Sequence, residues 1–426
     1  MTGPVGSTDP SFVRVSPQNG HSRTRFGAAP LVWVAPEVVD PVTGGGGGIR
    51  HTELLRRLAT EVPVRLVALG PQVDAAVADA VAGLVLVSPA RGVGHRPLAA
   101  AARGLAGRSV PEVDALAPFA TQVPRAWLAP TGATTVLCHL TAQTLAAEAG
   151  GPVVCHLFHR PSVQLADEAA RAGGARRPRL QRYATTAGRL ERAAAGRAAL
   201  TVVVTQDDAA GLGAADLAVV PNGVDTRAPD PRPAERCRVL LPGTLFYGPN
   251  VDGARWFVEE AWPAVRAAIP QAELVLAGRG PTPEVRALAQ QPGVEVHADV
   301  ADMATELAAA RVVVVPLRYG TGTRLKALEA LAGRRALVGT TVGLAGLGLT
   351  DGVHARVADD AAGLARATIA ALTPDDGDGL IAAGRALVEQ HHTWDAQADR
   401  LLAALSQRGL LPSRPSRPAT PSRSTR

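Results

Sequence analysis

The chain is predicted to be an α/β protein in which two doubly wound, Rossmann-like domains face each other across a cleft. Three observations lead there. Short apolar runs rich in Val, Leu and Ala recur along the chain, each with the length of a strand buried on both faces. Amphipathic stretches of helical length and glycine-rich turns alternate with them, the strand–turn–helix order of a parallel sheet. A proline-rich break, Pro229-Asp-Pro-Arg-Pro233, divides the series near its middle and reads as a linker.

The composition fits that class. A chain of 426 residues with 46% hydrophobic side chains is long enough for two ordinary globular domains. No apolar run reaches the ~20 residues that span a bilayer, and the N-terminus lacks a signal-peptide core, so the cytoplasm is the expected compartment. Cys138, Cys155 and Cys237 lie in apolar runs without metal-ligand spacing and read as buried free thiols. The net charge of +6 resides in the ends: five arginines and no acid from 406 to 426, three arginines against one aspartate from 1 to 29. The body between them carries no basic patch interleaved with aromatics, which argues against nucleic acid as a partner. The arginine-rich ends read as disordered solvated tails and leave room for peripheral contact with anionic lipid at the inner face of a membrane.

Taken in order, the chain is expected to become ordered near Pro30, after a tail at 1–29. A strand at 31–35 leads into the glycine run 44–48, expected to be a loop, and then an amphipathic helix at 49–60. Strands at 64–69, 83–87, 134–139, 152–158, 200–205 and 218–221 complete a first domain at 30–227. A basic, alanine-rich helical region at 171–197 carries expected breaks at Gly173-Gly174 and Pro178. The first glycine loop is not a G-x-G-x-x-G fingerprint and no acid ends the second strand, so a nicotinamide cofactor is not supported. Beyond a linker at 228–236, a second domain at 237–392 begins with a strand at 238–241 and a helix at 251–268. It continues with a strand at 272–277, a helix at 283–290, a strand at 294–297 and a helix at 302–310. Strands at 335–339 and 353–357 and helices at 361–372 and 378–390 follow. A closing helix at 393–405 precedes a tail at 406–426.

The stretch 311–333, RVVVVPLRYGTGTRLKALEALAG, is the one on which the reading turns. Its β-branched run is a buried strand, Gly320-Thr321-Gly322-Thr323 is a turn, and a helix follows. A helix opening from a glycine turn aims free N–H groups and its positive dipole end at whatever lies before it, and phosphate is the best guest. Arg324 and Lys326 lie in the first turn, where cations oppose the dipole, so their presence points to an external anion. Lys326 is the only lysine in a chain otherwise supplied with arginine.

The motif order resembles the retaining GT-B glycosyltransferases of the large family 4 type, in particular a capsule- or exopolysaccharide-like subgroup. Val220-Pro-Asn-Gly-Val-Asp225 is similar to the end of the family's first domain. Leu241-Pro-Gly-Thr244, Pro249-Asn-Val-Asp252 and Trp256-Phe257 are similar to the opening of its second. Leu274-Val-Leu-Ala-Gly-Arg-Gly-Pro281, the segment 320–332, Thr340-Thr-Val-Gly343 and a terminal helix at Trp394 follow in family order. The glycine run 44–48 with Arg50 also fits, and coverage runs from about 31 to 405. The resemblance implies a GT-B fold whose C-terminal helix returns to the first domain. It implies transfer of a sugar from a nucleotide-diphosphate donor to a hydroxyl acceptor with retention, by same-face attack assisted by the leaving phosphate, without metal or resident cofactor. Polysaccharide biosynthesis is the expected setting.

The same resemblance assigns the site. Lys326 and Arg324 would meet the departing diphosphate with charge and Gly320, Thr321, Gly322 and Thr323 with N–H groups, which a metal-free enzyme requires. Glu329 would accept the two ribose hydroxyls, although its spacing alone pairs it with Lys326 at i,i+3. Gly243 and Thr244 would approach the phosphates and Arg279 the nucleotide, and a plain turn explains these positions nearly as well. Gly47 and Gly48 would touch phosphate or acceptor across the cleft, with a flexible surface loop the bland reading. His159, in His159-Arg160-Pro161, matches the family histidine beside the donor's anomeric carbon; a strand-end histidine is as readily structural. His156 shares that strand end, and His139 and Arg182 are weaker candidates. No D-x-D metal motif stands out, and Asp207-Asp208 and Asp359-Asp360 read as helix caps. One departure is specific: the family's Glu-x7-Glu pair is incomplete, since Thr321 stands eight residues before Glu329, as in the capsule-type subgroup. A sugar-nucleotide 2-epimerase of the same fold and a non-catalytic nucleotide-sugar binder are the competing readings. An epimer formed without acceptor would mark the first, and binding without donor hydrolysis the second.

Overall fold

The computed structural model describes residues 13–16, 30–41, 45–70, 72–87, 110–128, 132–226, 237–322 and 324–411. The first sheet contains β1 (Val13–Ser16), β2 (Leu31–Ala35), β3 (Val64–Leu69), β4 (Gly83–Val87), β5 (Thr135–Cys138), β6 (Val153–Leu157), β7 (Leu200–Val203) and β8 (Leu217–Val219). The second contains β9 (Arg238–Pro242), β10 (Glu273–Gly278), β11 (Val294–Ala298), β12 (Val312–Val315), β13 (Ala336–Gly339) and β14 (Arg356–Val357). The spatial orders are β1-β4-β3-β2-β5-β6-β7-β8 and β11-β10-β9-β12-β13-β14. Every pairing is parallel except β1 with β4.

The strands are continuous apolar runs because helices cover both faces. In β2, Leu31 and Trp33 pack toward the Gly45–Glu61 helix, Val32 and Val34 toward Phe119, Val123 and Leu128 on the other side. The strand order reverses between β2 and β5 and again between β9 and β12. Ligands of doubly wound sheets bind beyond the carboxyl ends of the strands at such reversals. The terminal Trp394–Ser406 helix, capped by Thr393 Oγ1 on Ala396 N–H, returns to the first domain: Trp394, Ala398, Leu401 and Leu405 are buried in the β2–β3 core. Arg57 and Asp395 pair across that return.

Several expectations change. The first helix begins at Gly45 rather than 49, so 45–48 is its opening turn and not a loop; Gly44 lies outside the described residues. Residues 13–16, expected in a disordered tail, form an edge strand on β4. At the other end Leu410 is buried and Arg408 pairs with Asp216, so the chain stays packed past 406; residues 412–426 lie outside the description, as do 1–12, 17–29 and the linker 227–236. The helix expected at 251–268 has a π turn at Phe257–Ala261 just ahead of Trp262–Ala268, where Pro263 supplies no N–H to continue the ladder. The basic region breaks at 173–174 as expected but not at Pro178, which sits in the first turn of the Arg176–Arg197 helix, where proline costs little. Helices Ala75–Ala80 and Pro111–Gln122 had no clear period in sequence. The three cysteines are free, with Cys138 and Cys155 buried.

Candidate active site

The carboxyl ends of both sheets open onto one cleft of about 660 Å³. On the second-domain wall, β12 ends in a loop that feeds the Leu325–Ala332 helix. Gly320 at φ 117° and Gly322 at φ 82° let that loop turn back on itself, in a region that side chains avoid. A Cβ on Gly322 would lie 3.0 Å from the Phe158 carbonyl of the first domain. The Thr321 hydroxyl accepts from Arg160 N–H at 3.1 Å and so ties the loop to the opposite domain.

Lys326, Glu329 and Arg324 all line the cleft. Lys326 Nζ donates to Asn250 Oδ1 at 2.8 Å, and Asn250 Nδ2 donates to the Thr244 carbonyl at 2.9 Å. Burial, with the nearby Arg324 charge adding and Glu329 opposing, pushes the Lys326 ammonium down to about 7. Burial likewise raises the Glu329 carboxyl, with Lys326 drawing it back. No ion pair joins the two among the described residues, so the i,i+3 reading of Glu329 is not realised as a contact. Gly243 makes this arrangement fit: a Cβ there would lie 2.7 Å from Lys326 Nζ and 2.8 Å from Asn250 Nδ2. Gly278 is needed in turn, because its Cβ would fall 1.7 Å from the Gly243 carbonyl. Arg324 donates to the Thr321 carbonyl, while its buried Nη2 has no hydrogen-bond partner among the described residues. Burial lowers its pKa. A buried cation with a donor to spare, beside a half-charged lysine, is a site for an anion.

The first-domain wall is built from the ends of β2, β5 and β6. His159 lines the cleft with its ring 4.9 Å from that of His139 and 5.3 Å from Phe158. His139 holds φ 68°, an uncommon conformation for a residue with a side chain, and its Nδ1 meets Thr141 N–H at 3.2 Å. Arg279 lines the cleft from the second domain and reaches across it, its Nη2 lying 3.3 Å from the Cβ position of Gly45. Helix Pro161–Arg171 ties the two walls together. Tyr247 hydroxyl donates to Gln164 Oε1 at 3.1 Å, and Arg171 donates to the Arg318 carbonyl at 2.7 Å with its guanidinium 4.5 Å over Tyr319.

Of the residues singled out in sequence, the cleft gathers Lys326, Arg324, Glu329, His159, Gly243, Thr244, Arg279, Thr321, Gly322 and Gly47. Two do not line it. Gly48 is buried, because the chain backbone at Val38 and Asp40 approaches within 2.7 and 2.5 Å of its Cβ position, so it serves packing. Gly320 does not line the cleft: its N–H faces Asp167 Oδ2 at 3.5 Å, and its Cβ position lies 3.5 Å from Arg324 Nη2. Thr323 lies outside the described residues. His156 is buried below the cleft and receives Arg50 Nε at 3.1 Å; burial first, then the Arg50 and His51 charges, lowers its pKa far below the ordinary value. Arg182 is exposed on its helix.

Sequence reasoning passed over Glu37, Asn250, Tyr247 and Gln164, and noted Arg50 only in passing. Asn250 sat inside the quoted Pro249–Asp252 motif and carried a signal. Arg50 is 1% exposed and donates to His156, to the Val220 and Pro221 carbonyls and to Asn222 Oδ1, fixing the segment that ends the first domain. Among the described residues no group of three or more His, Cys, Asp or Glu is placed to hold a metal. Asp360 caps the Ala361–Leu372 helix. Thr205, rather than Asp207 or Asp208, caps the Gln206–Ala209 helix, accepting from Asp208 N–H and donating its hydroxyl to Asp208 Oδ2 at 2.6 Å. No helix among them is long and apolar enough to cross a membrane.

Comparison with known proteins agrees with this geometry. Residues 236–374 match the family model described as glycosyl transferases group 1. A relative from Klebsiella pneumoniae, described as an uncharacterized 44.6 kDa protein in the cps region, is 28% identical over 132 residues, 29% of this chain and 34% of its own. The match thus spans about a third of that relative's length. Sucrose-phosphate synthase from Thermosynechococcus elongatus superposes with a TM-score of 0.66 at 19% identity, covering 89% of this chain and 98% of its own. HepE from Anabaena, crystallised with UDP and glucose, does so at 0.64 and 14% identity over 89% and 100%. Trehalose 6-phosphate synthase from Burkholderia multivorans gives 0.61 at 14% identity, over 89% and 98%. The chain therefore has the GT-B glycosyltransferase fold, and its second domain carries the group 1 glycosyl transferase match.

Proposed function

We propose that the protein transfers a sugar from a nucleotide-diphosphate donor to a hydroxyl acceptor, with retention and without a metal. The observation that carries this reading is the grouping of Lys326, Arg324 and Glu329 on one helix start in the interdomain cleft, facing the glycines at 243 and 322. A departing diphosphate needs positive charge fixed in place before the bond breaks, and Lys326 and Arg324 supply what a divalent ion otherwise would. Glu329 receives the ribose hydroxyls and Arg279 lies beside the nucleotide. His159 contacts the donor sugar. The bond between the sugar's anomeric carbon and the β-phosphate oxygen breaks, a bond to the acceptor oxygen forms on the same face, and the acceptor proton passes to the leaving phosphate. The Thr321–Arg160 contact takes the place of a carboxylate on the sugar, so the donor is held there by backbone. That HepE was crystallised with UDP-glucose supports uridine donors as the first to try, and the cps-region relative is compatible with polysaccharide synthesis.

The test is product analysis with a panel of UDP-, GDP- and ADP-sugars, with and without EDTA. An α-linked product from an α-linked donor, formed at the same rate in chelator, is expected. A β-linked product or loss of activity in EDTA overturns the stereochemical or the metal-free part. A free epimer formed without acceptor selects the epimerase, and donor binding without any turnover selects a binding protein.

A further inference from the structure

Asn250 stands in the first turn of the Gly248–Trp256 helix, after the turn that follows β9, and is 5% exposed. An asparagine at a helix start most often caps it. Here Tyr247 holds the cap position, and the Asn250 amide is directed at other groups on the cleft wall. Its Oδ1 accepts from Lys326 Nζ at 2.8 Å and its Nδ2 donates to the Thr244 carbonyl at 2.9 Å. Turned the other way, the amide would set its NH2 group against an ammonium and its oxygen against a carbonyl, so the two partners fix one orientation. Two glycines make room for this arrangement. A Cβ on Gly243 would crowd both Lys326 Nζ and Asn250 Nδ2, and one on Gly278 would strike the Gly243 carbonyl.

The hydrogen-bond partner of the chain's single lysine is therefore an uncharged group. The charged and titratable side chains that share the cleft with it are Arg324 and Glu329 on its own segment, Arg279 beyond β10, and Glu37, Arg50 and His159 on the facing wall. None of them is paired with Lys326 among the described residues. An ammonium carries three N–H donors, and with one aimed by Asn250 two are left for a ligand. We propose that Asn250 is the positioning residue of the donor site: its amide holds Lys326 Nζ in place before a diphosphate and, being uncharged, leaves the lysine's charge to the ligand. An aspartate of the same shape would hold the ammonium as well, but would cancel its charge in an ion pair and set a carboxylate against both the phosphates and the Thr244 carbonyl. The inference rests on the nucleotide-sugar reading above and gives that site a further residue.

Because Lys326 is the only lysine, protein grown on lysine carrying carbon-13 at Cε gives a single labelled side-chain signal whose shift follows its protonation. The experiment titrates that signal with pH in wild type, Asn250→Asp and Asn250→Ala, and measures calorimetric affinity for UDP-glucose, GDP-mannose and ADP-glucose at pH 7 and pH 9. The wild-type signal should have its midpoint near 7, and a bound nucleotide sugar should raise it by more than about one pH unit. Asn250→Asp should raise the midpoint of the empty protein above about 8, weaken binding at pH 7 by roughly tenfold or more, and leave less than about a fivefold fall in affinity from pH 7 to pH 9. Asn250→Ala should weaken binding by roughly tenfold, the size of one lost hydrogen bond to a charged group, and keep the wild-type pH dependence. The two substitutions serve independently, and each is read beside its melting transition. A wild-type pH profile in Asn250→Asp, wild-type affinity in Asn250→Ala, or losses that occur only with loss of the melting transition overturn the inference while leaving the donor site standing. A folded wild type that binds none of the three nucleotide sugars overturns both.

Discussion

Binding of a nucleotide sugar should draw a proton onto Lys326. In the empty protein burial holds that ammonium at about 7, so near neutral pH roughly half of the molecules carry the charge there. A diphosphate beside it favours the charged form, and the bound pKa returns toward the ordinary lysine range. A nucleotide sugar has no group of its own titrating near pH 7, so the proton comes from solvent. About half a proton should be taken up per binding event at pH 7, rising toward one by pH 8. Because only the charged form binds well, affinity should fall by roughly 50-fold between pH 7 and pH 9. Calorimetry in two buffers of different ionisation enthalpy reads the uptake directly, and Lys326→Met should abolish both the uptake and the pH dependence. The sign for stability runs the other way. A lysine whose folded pKa lies below its unfolded value makes the empty fold gain stability as pH rises from about 7 toward 10.5. Lys326→Met should accordingly stabilise the empty protein at pH 7 by on the order of 1 kcal/mol. Equal affinity at pH 7 and pH 9, with no buffer dependence, would refute the reasoning.

Other positions give separate tests. Gly243→Ala places a methyl 2.7 Å from Lys326 Nζ, so donor affinity should fall by about tenfold or more, about 1.4 kcal/mol, in a titration calorimeter. Glu191→Gln breaks the buried pair with Arg160, 2.6 Å long with both side chains at most 4% exposed. The uncompensated guanidinium should cost about 3–5 kcal/mol in denaturant unfolding. Leu401→Ala leaves a hole where the terminal helix meets the first domain and should cost about 2–5 kcal/mol by the same assay. Rising pH, not acid, should weaken the contact between β11 and the Met303–Ala309 helix, where His297 Nδ1 meets Glu306 Oε1 at 2.7 Å. Glu306 first and then Glu295 raise the pKa of His297, so the stability that group gives is full below its unfolded pKa of about 6.5 and is lost as pH rises through the higher folded value. His297→Gln should lower stability at pH 5.5 by more than at pH 8, and equal losses at both would contradict this.

The doubly wound class was legible because parallel strands buried on two faces write themselves as unbroken apolar runs, and Val312–Val315 needs no partner to be read as one. The second-domain half of the cleft was legible for the same local reason: Gly322, Arg324, Lys326 and Glu329 are close in sequence and their geometry follows from one turn and one helix. The first-domain half was not. Gly45–Gly48 looks like a loop by composition; in the fold the Glu37 side chain crowds Gly47, the Val38 and Asp40 carbonyls crowd Gly48, and Gly45 holds φ 60°. Arg50 and His156 are 106 residues apart, and their hydrogen bond has no signature in spacing. The edge strand Val13–Ser16 escaped notice because four residues carry too short a period, and its pairing with β4 is a long-range fact.

The central claim is that one helix start in the cleft holds the diphosphate of a nucleotide sugar. The most direct measurement is a calorimetric titration of UDP, GDP and ADP with their sugars into the wild type, Lys326→Ala and Glu329→Ala. At least one nucleotide should bind the wild type, with each substitution weakening it by about a hundredfold while the melting transition remains intact. Unchanged affinity in both variants, or a loss of binding that occurs only where the melting transition is lost, would contradict the claim.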